Sequence, residues 1–93
     1  LSHPSICPYG AFKTADGKTI MLSIQNEREW QRFCVEILVD ADFVEQYPDN
    51  SSRLANRSVV DGRVETALGK SSRTKASAKL KKSEIAYGTL NDV

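Results

Sequence analysis

The chain has 93 residues, 40% apolar and 27% charged, with a formal net charge of +1. That balance suits one small globular domain with a modest core and excludes a disordered chain. No apolar run approaches the ~20 residues that span a bilayer, and Leu1-Ser2-His3-Pro4 lacks the charged and apolar blocks of a signal peptide.

Leu1 to Pro8, with two prolines and two serines, reads as an extended lead-in. Tyr9–Ala15 and Thr19–Gln25 flank Asp16-Gly17, the pair that a two-residue type I′ turn favours, so a β-hairpin is predicted. In that register Thr14 faces Thr19, Phe12 faces Met21 and Ala11 faces Leu22. Tyr9, Ala11, Ile20, Leu22 and Ile24 form the expected core side, with Phe12, Met21 and Ser23 opposite.

Asn26 is a good N-cap, and Glu29 three residues on completes a capping box. Trp30, Phe33, Cys34, Ile37 and Leu38 follow at the spacing of one helical face. Asp40 to Tyr47 predicts a short helical turn that Pro48-Asp49-Asn50-Ser51 breaks. A long helix is expected from Ser51 or Ser52 to Leu68, with Val60, Val64, Ala67 and Leu68 inward and Arg53, Arg57 and Arg63 mostly outside; Gly62 weakens it and Gly69 stops it. Ser71 or Ser72 caps a further helix to Lys82, in which only Ala76, Ala78 and Leu80 are apolar. Ile85-Ala86-Tyr87-Gly88 is a short strand able to join the hairpin. The whole predicts an α+β domain over residues 1–93, a small antiparallel sheet with about three helices on one face.

No residue pattern announces catalysis. His3, the single histidine, has no evident carboxylate or thiol partner, so no triad can be argued. Cys34 lies on an apolar helical face and Cys7 in an exposed lead-in, and neither has the basic setting of a reactive thiolate. Two cysteines make no disulfide framework, so reduced thiols and a cytoplasmic location are the expectation. Asp16, Glu27, Glu29, Asp40, Asp42 and Asp49 fall at turns, caps and connections, with no acid–base pair and no metal-ligand cluster. Lys70, Arg73, Lys75, Lys79, Lys81 and Lys82 place six cations together with no acid between them. A solvated helical face explains them best. The rival is an interaction module binding an acidic partner or nucleic acid through Lys70–Lys82, against which stands the absence of aromatic residues to stack bases.

Ordered pieces of the chain nevertheless resemble the smaller domain of family III CoA-transferases, the carnitine dehydratase/bile-acid-inducible protein F group. They are His3-Pro4-Ser5-Ile6, Pro8-Tyr9-Gly10-Ala11-Phe12, Thr14-Ala15-Asp16-Gly17, Gln25-Asn26-Glu27-Arg28-Glu29-Trp30, Phe33-Cys34, the Arg-x-x-Asn-Arg pattern of Arg53, Asn56 and Arg57, and Ile85-Ala86-Tyr87-Gly88 with Leu90-Asn91-Asp92-Val93. Within the group the likeness leans to succinyl, mesaconyl and citramalyl types. The chain departs from the family at Arg73 to Lys79, where relatives are more apolar, and at Glu84.

The resemblance implies reversible transfer of CoA between carboxylic acids, some relatives being racemases instead. An aspartate of the larger domain forms an aspartyl-CoA intermediate, and no position here matches it. It also implies an interlocked homodimer, acyl-CoA and carboxylic acid substrates, a coenzyme A thioester as substrate and no tightly bound cofactor. His3, Tyr9 and Gly10 correspond to a loop bordering the active site and are carried over as substrate-lining residues. The start at Leu1 and the stop at Val93 fit an excised domain, inactive by itself.

Overall fold

The structure is a computed structural model that describes residues 5–90. Three strands, β1 (Tyr9–Lys13), β2 (Thr19–Ser23) and β3 (Tyr87–Leu90), form one antiparallel sheet with β2 in the centre. Between β2 and β3 run five α-helices: α1 (Glu27–Arg32), α2 (Ala41–Gln46), α3 (Asn50–Ala55), α4 (Arg57–Leu68) and α5 (Arg73–Lys82). The domain is α+β, as its patterning predicts.

The hairpin is one residue out of the expected register. Phe12 pairs with Ile20, Ala11 with Met21 and Gly10 with Leu22. The reason is the loop: Thr14 N–H bonds Lys18 O at 2.9 Å and Gly17 N–H bonds Thr14 O at 3.0 Å, closing three residues, Ala15 to Gly17, rather than two. Gly17 sits at φ 75°, the left-handed position that such a loop assigns to glycine. Because side chains alternate across a strand, this single step turns all of β1 over. Phe12 joins Ile20, Leu22 and Ile24 in the core, while Ala11 is exposed and Tyr9 half-buried on the outer face.

Asn26 caps α1 as expected, its Oδ1 accepting the Glu29 N–H at 2.9 Å. The return half of the box differs. Glu29 is buried; its Oε1 accepts from Gln25 N–H at 2.7 Å and its Oε2 from Ala86 N–H at 3.3 Å. One carboxylate thus joins the start of α1 to the approach to β3. Beyond Arg32 the helix widens into a π-turn, Phe33–Ile37, with Leu38 N–H bonded to Phe33 O at 3.0 Å. Trp30, Phe33 and Cys34 stay fully buried, while Ile37 and Leu38 pack at the margin.

Trp30 is the centre of the helical layer. Its ring stacks on Phe33 at 6.1 Å and meets Phe43 of α2 at 5.9 Å, and its Nε1 donates to Tyr47 O at 2.7 Å. The expected long helix is two helices, α3 and α4. Asp49 caps the first through a reciprocal box with Ser52, and Asn56, at φ −124° and ψ 37°, separates them. Val60, Val64 and Leu68 are buried as predicted. Ser72 caps α5, which buries Ala76 and Leu80 and exposes Ala78.

Two substitutions read the register and the carboxylate. Phe12→Ala should cost about 3–5 kcal/mol in urea unfolding, whereas Ala11→Ser should stay within about 0.5 kcal/mol. The original register would reverse that order. Glu29→Ala, which strands two backbone donors, should cost about 2–3 kcal/mol by the same measurement.

Candidate functional site

The lead-in has no regular structure, so its shape depends on what its backbone carbonyls bind. Four in succession are accounted for. Ser5 O accepts from Asn50 Nδ2 at 2.7 Å, Ile6 O from Arg57 Nη2 at 3.0 Å, Cys7 O from Arg53 Nε at 2.7 Å and Pro8 O from Ile24 N–H at 3.2 Å. Asn50 Oδ1 also accepts the Cys7 N–H at 3.1 Å. Side chains of α3 and α4 therefore hold the segment along its length, and the Cys7–Pro8 peptide is cis.

Arg53 corrects the sequence reading most sharply. Expected outside, it is 1% exposed. Its Nη2 pairs with Glu27 Oε1 at 2.8 Å, and its guanidinium carbon lies 4.9 Å from the centre of the Trp30 ring. Arg57 and Arg63 are half-buried, Arg63 pairing with Asp40 at 3.1 Å and lying 4.8 Å over Phe43. Asn56 bonds back within its own turn, its Nδ2 donating to Ser52 O at 2.9 Å.

Cys7, expected exposed, is fully buried, with Sγ 3.8 Å from Asp61 Oδ1. Burial pushes its thiol up to about 11, the nearby Asp61 charge adding to the shift and Arg57 and Arg53 opposing it. Burial likewise raises Cys34 to about 12. Desolvation also lifts the Asp61 carboxyl above its usual range, against the pull of Arg57. Both thiols are free and protonated at neutral pH, which makes them packing groups rather than nucleophiles.

Of the predicted lining residues, His3 lies outside the described residues. Tyr9 lines a shallow hollow of about 160 Å³ on the outer sheet face with Met21, Ser23, Ala86, Tyr87 and Gly88. Gly10 is buried on the opposite face at φ 150°, a value side-chain-bearing residues rarely adopt. Tyr9 and Gly10 are thus chain neighbours that face opposite ways. Lys70, Lys75, Lys79, Lys81 and Lys82 are exposed along and just before α5, and Arg73 is half-buried. Among the described residues no group of three or more His, Cys, Asp or Glu side chains is gathered as for a metal, and no helix is long and apolar enough to cross a membrane.

The model of the family described as CoA-transferase family III matches residues 1–93. The chain belongs to that family. Two succinyl-CoA:mesaconate CoA-transferases, of Haloarcula marismortui and Haloarcula hispanica, are each 38% identical over 56 residues, covering 60% of this chain and 14% of theirs. A CAIB/BAIF family protein from Brucella suis superposes with a TM-score of 0.89 at 24% identity, over 98% of this chain and 24% of that one. Rv3272 from Mycobacterium tuberculosis superposes at 0.82 with 26% identity, over 94% and 25%. The family III chain described here therefore spans a quarter or less of the length of these relatives.

In this family III domain the buried thiols predict a pH signature. Between 9 and 11 the unfolded chain sheds thiol protons that the native Cys7 and Cys34 keep, so the unfolded state binds fewer protons and stability falls as pH rises. The contribution is complete below pH 9, the ordinary thiol value. Urea midpoints across that window should drop, and should drop less in a Cys7→Ser/Cys34→Ala variant. Neither native thiol should react with a disulfide reagent until the domain unfolds.

Proposed function

We propose that this chain is the small domain of an acyl-CoA:carboxylate CoA-transferase, and that it closes over acyl groups bound on a larger domain of the same enzyme. The observation that carries this reading is the family match over residues 1–93, with 38% identity to succinyl-CoA:mesaconate CoA-transferases as its support for short dicarboxylic substrates. The placement of the lead-in adds to it. A segment gripped by Asn50, Arg53 and Arg57 brings Tyr9 to a shallow hollow on the outer sheet face.

The chemistry belongs to the larger domain. There an aspartate attacks the donor thioester, releasing CoA thiolate and forming a mixed anhydride. The thiolate then displaces the donor carboxylate to give an aspartyl-CoA thioester. The acceptor carboxylate attacks in turn, and return of the thiolate yields the new acyl-CoA and regenerates the aspartate. Each step exchanges one acyl bond for another, which is covalent catalysis by a carboxylate nucleophile. This domain's part is to exclude water from the anhydride, whose hydrolysis would waste the thioester. The working enzyme is proposed to be an interlocked homodimer, with acyl-CoA and a carboxylic acid as its substrates.

The test is CoA exchange. The complete protein carrying this domain, given succinyl-CoA and mesaconate, should form mesaconyl-CoA and free succinate, and the 93 residues alone should form neither. Turnover by the isolated chain would move the active site into it. A complete protein that exchanges CoA among no dicarboxylates would overturn the substrate class.

A further inference from the structure

Resting on that function, we propose that Arg53 is a positioning residue, which sets the place of Tyr9 at the substrate through the carbonyl of Cys7. Stability alone does not account for an arginine at this point. Glu27 is more than half exposed, so its attraction for the guanidinium is screened by solvent and offsets only part of the cost of burying the charge. Here Nη1 of Arg53 is buried and has no hydrogen-bond partner among the described residues, so the group carries an added cost. What an apolar residue cannot supply is a directional donor to Cys7 O, at 2.7 Å.

The geometry around the guanidinium fixes its plane from three sides. Glu27 Oε1 holds Nη2 at 2.8 Å, the Trp30 ring lies 4.9 Å from the guanidinium carbon, and Nε is committed to Cys7 O. Glu27 stands in the first turn of α1 and Arg53 on α3, so the bond to Cys7 couples the lead-in to two helices at once. Lysine keeps the charge but offers an ammonium with no planar fork, so it cannot meet Glu27 and Cys7 O in the same arrangement. Cys7 is followed by Pro8 and then Tyr9, so a shift of its carbonyl moves Tyr9, the side chain proposed to face the acyl group.

The experiment uses the complete enzyme with succinyl-CoA and mesaconate, comparing Arg53→Lys with Leu80→Ala, a core truncation on α5 that lowers stability without touching the clamp. Both are assayed at a temperature where circular dichroism shows them folded. A misplacement on the order of 1 Å lowers rates by about 100-fold, so kcat of Arg53→Lys should fall about 10- to 100-fold while KM for succinyl-CoA changes less than about threefold. Leu80→Ala should keep the wild-type kcat. An unchanged kcat in folded Arg53→Lys overturns the proposal, as does an equal loss in Leu80→Ala. Should Arg53→Lys fail to fold, Glu27→Gln serves in its place: it keeps the Cys7 bond and weakens the hold on the guanidinium plane. Its kcat should fall in the same direction by about 3- to 10-fold, and an unchanged value overturns the role. A wild-type enzyme that moves no CoA overturns the function itself; an active enzyme indifferent to these substitutions overturns the positioning role alone.

Discussion

A guanidinium under the Trp30 ring joins the parts of this domain that the chain order keeps apart. Arg53 donates to Glu27 at the start of α1, stacks on the aromatic centre of the helical layer and donates to the lead-in at Cys7. Removing Glu27 would leave the buried guanidinium without its ion-pair partner, which costs more than the bond itself. The lead-in therefore cannot drift independently of the helices. A segment with no ladder or helix of its own acquires a fixed path because its carbonyls are met one after another by Asn50, Arg57, Arg53 and the backbone of Ile24.

The sheet is equally constrained, from the opposite direction. Its inner face, Phe12, Ile20, Leu22 and Ile24, is closed by the helices, and its outer face keeps Tyr9, Ala11 and Met21 at least partly open. The hairpin loop is itself tied to α5: Ala15 N–H bonds Ser71 O at 2.8 Å, and Asp16 accepts the Arg73 N–H at 3.2 Å while also receiving the Thr14 hydroxyl. The Thr14 bond holds the Asp16 carboxyl below the ordinary carboxylate range. The loop length that sets the register thus belongs to a contact between elements distant in sequence.

Much of the architecture was legible because its signals are local. Asn26 and Glu29 mark a helix start, Trp30, Phe33 and Cys34 mark its buried side, and Ser72 marks the start of α5; each depends on neighbours within a turn or two. The pieces that escaped depend on residues far away in sequence. Asp16-Gly17 announces a turn but not whether two or three residues close it. Asn56 gives no local sign of dividing α3 from α4. The π-turn at Phe33–Ile37 has no sign in the helical spacing that marks Trp30, Phe33 and Cys34, and beyond it Ile37 and Leu38 pack only at the margin of the core.

The candidate site divides in the same way. Arg53, Asn56 and Arg57 stand out in the sequence as a spaced group, yet spacing places arginines outside by default, since a lone charge is rarely buried. From the amino-acid order alone came the α+β class, the hairpin, the capped helices and the family likeness, because these follow from periodicity, capping chemistry and ordered short motifs. Only the folded chain decided which side of β1 faces inward, that Cys7 is buried, and that Arg53 is enclosed with Glu27, Trp30 and the Cys7 carbonyl. Those outcomes hang on partners that converge from separate helices and the lead-in, and no local pattern can carry them.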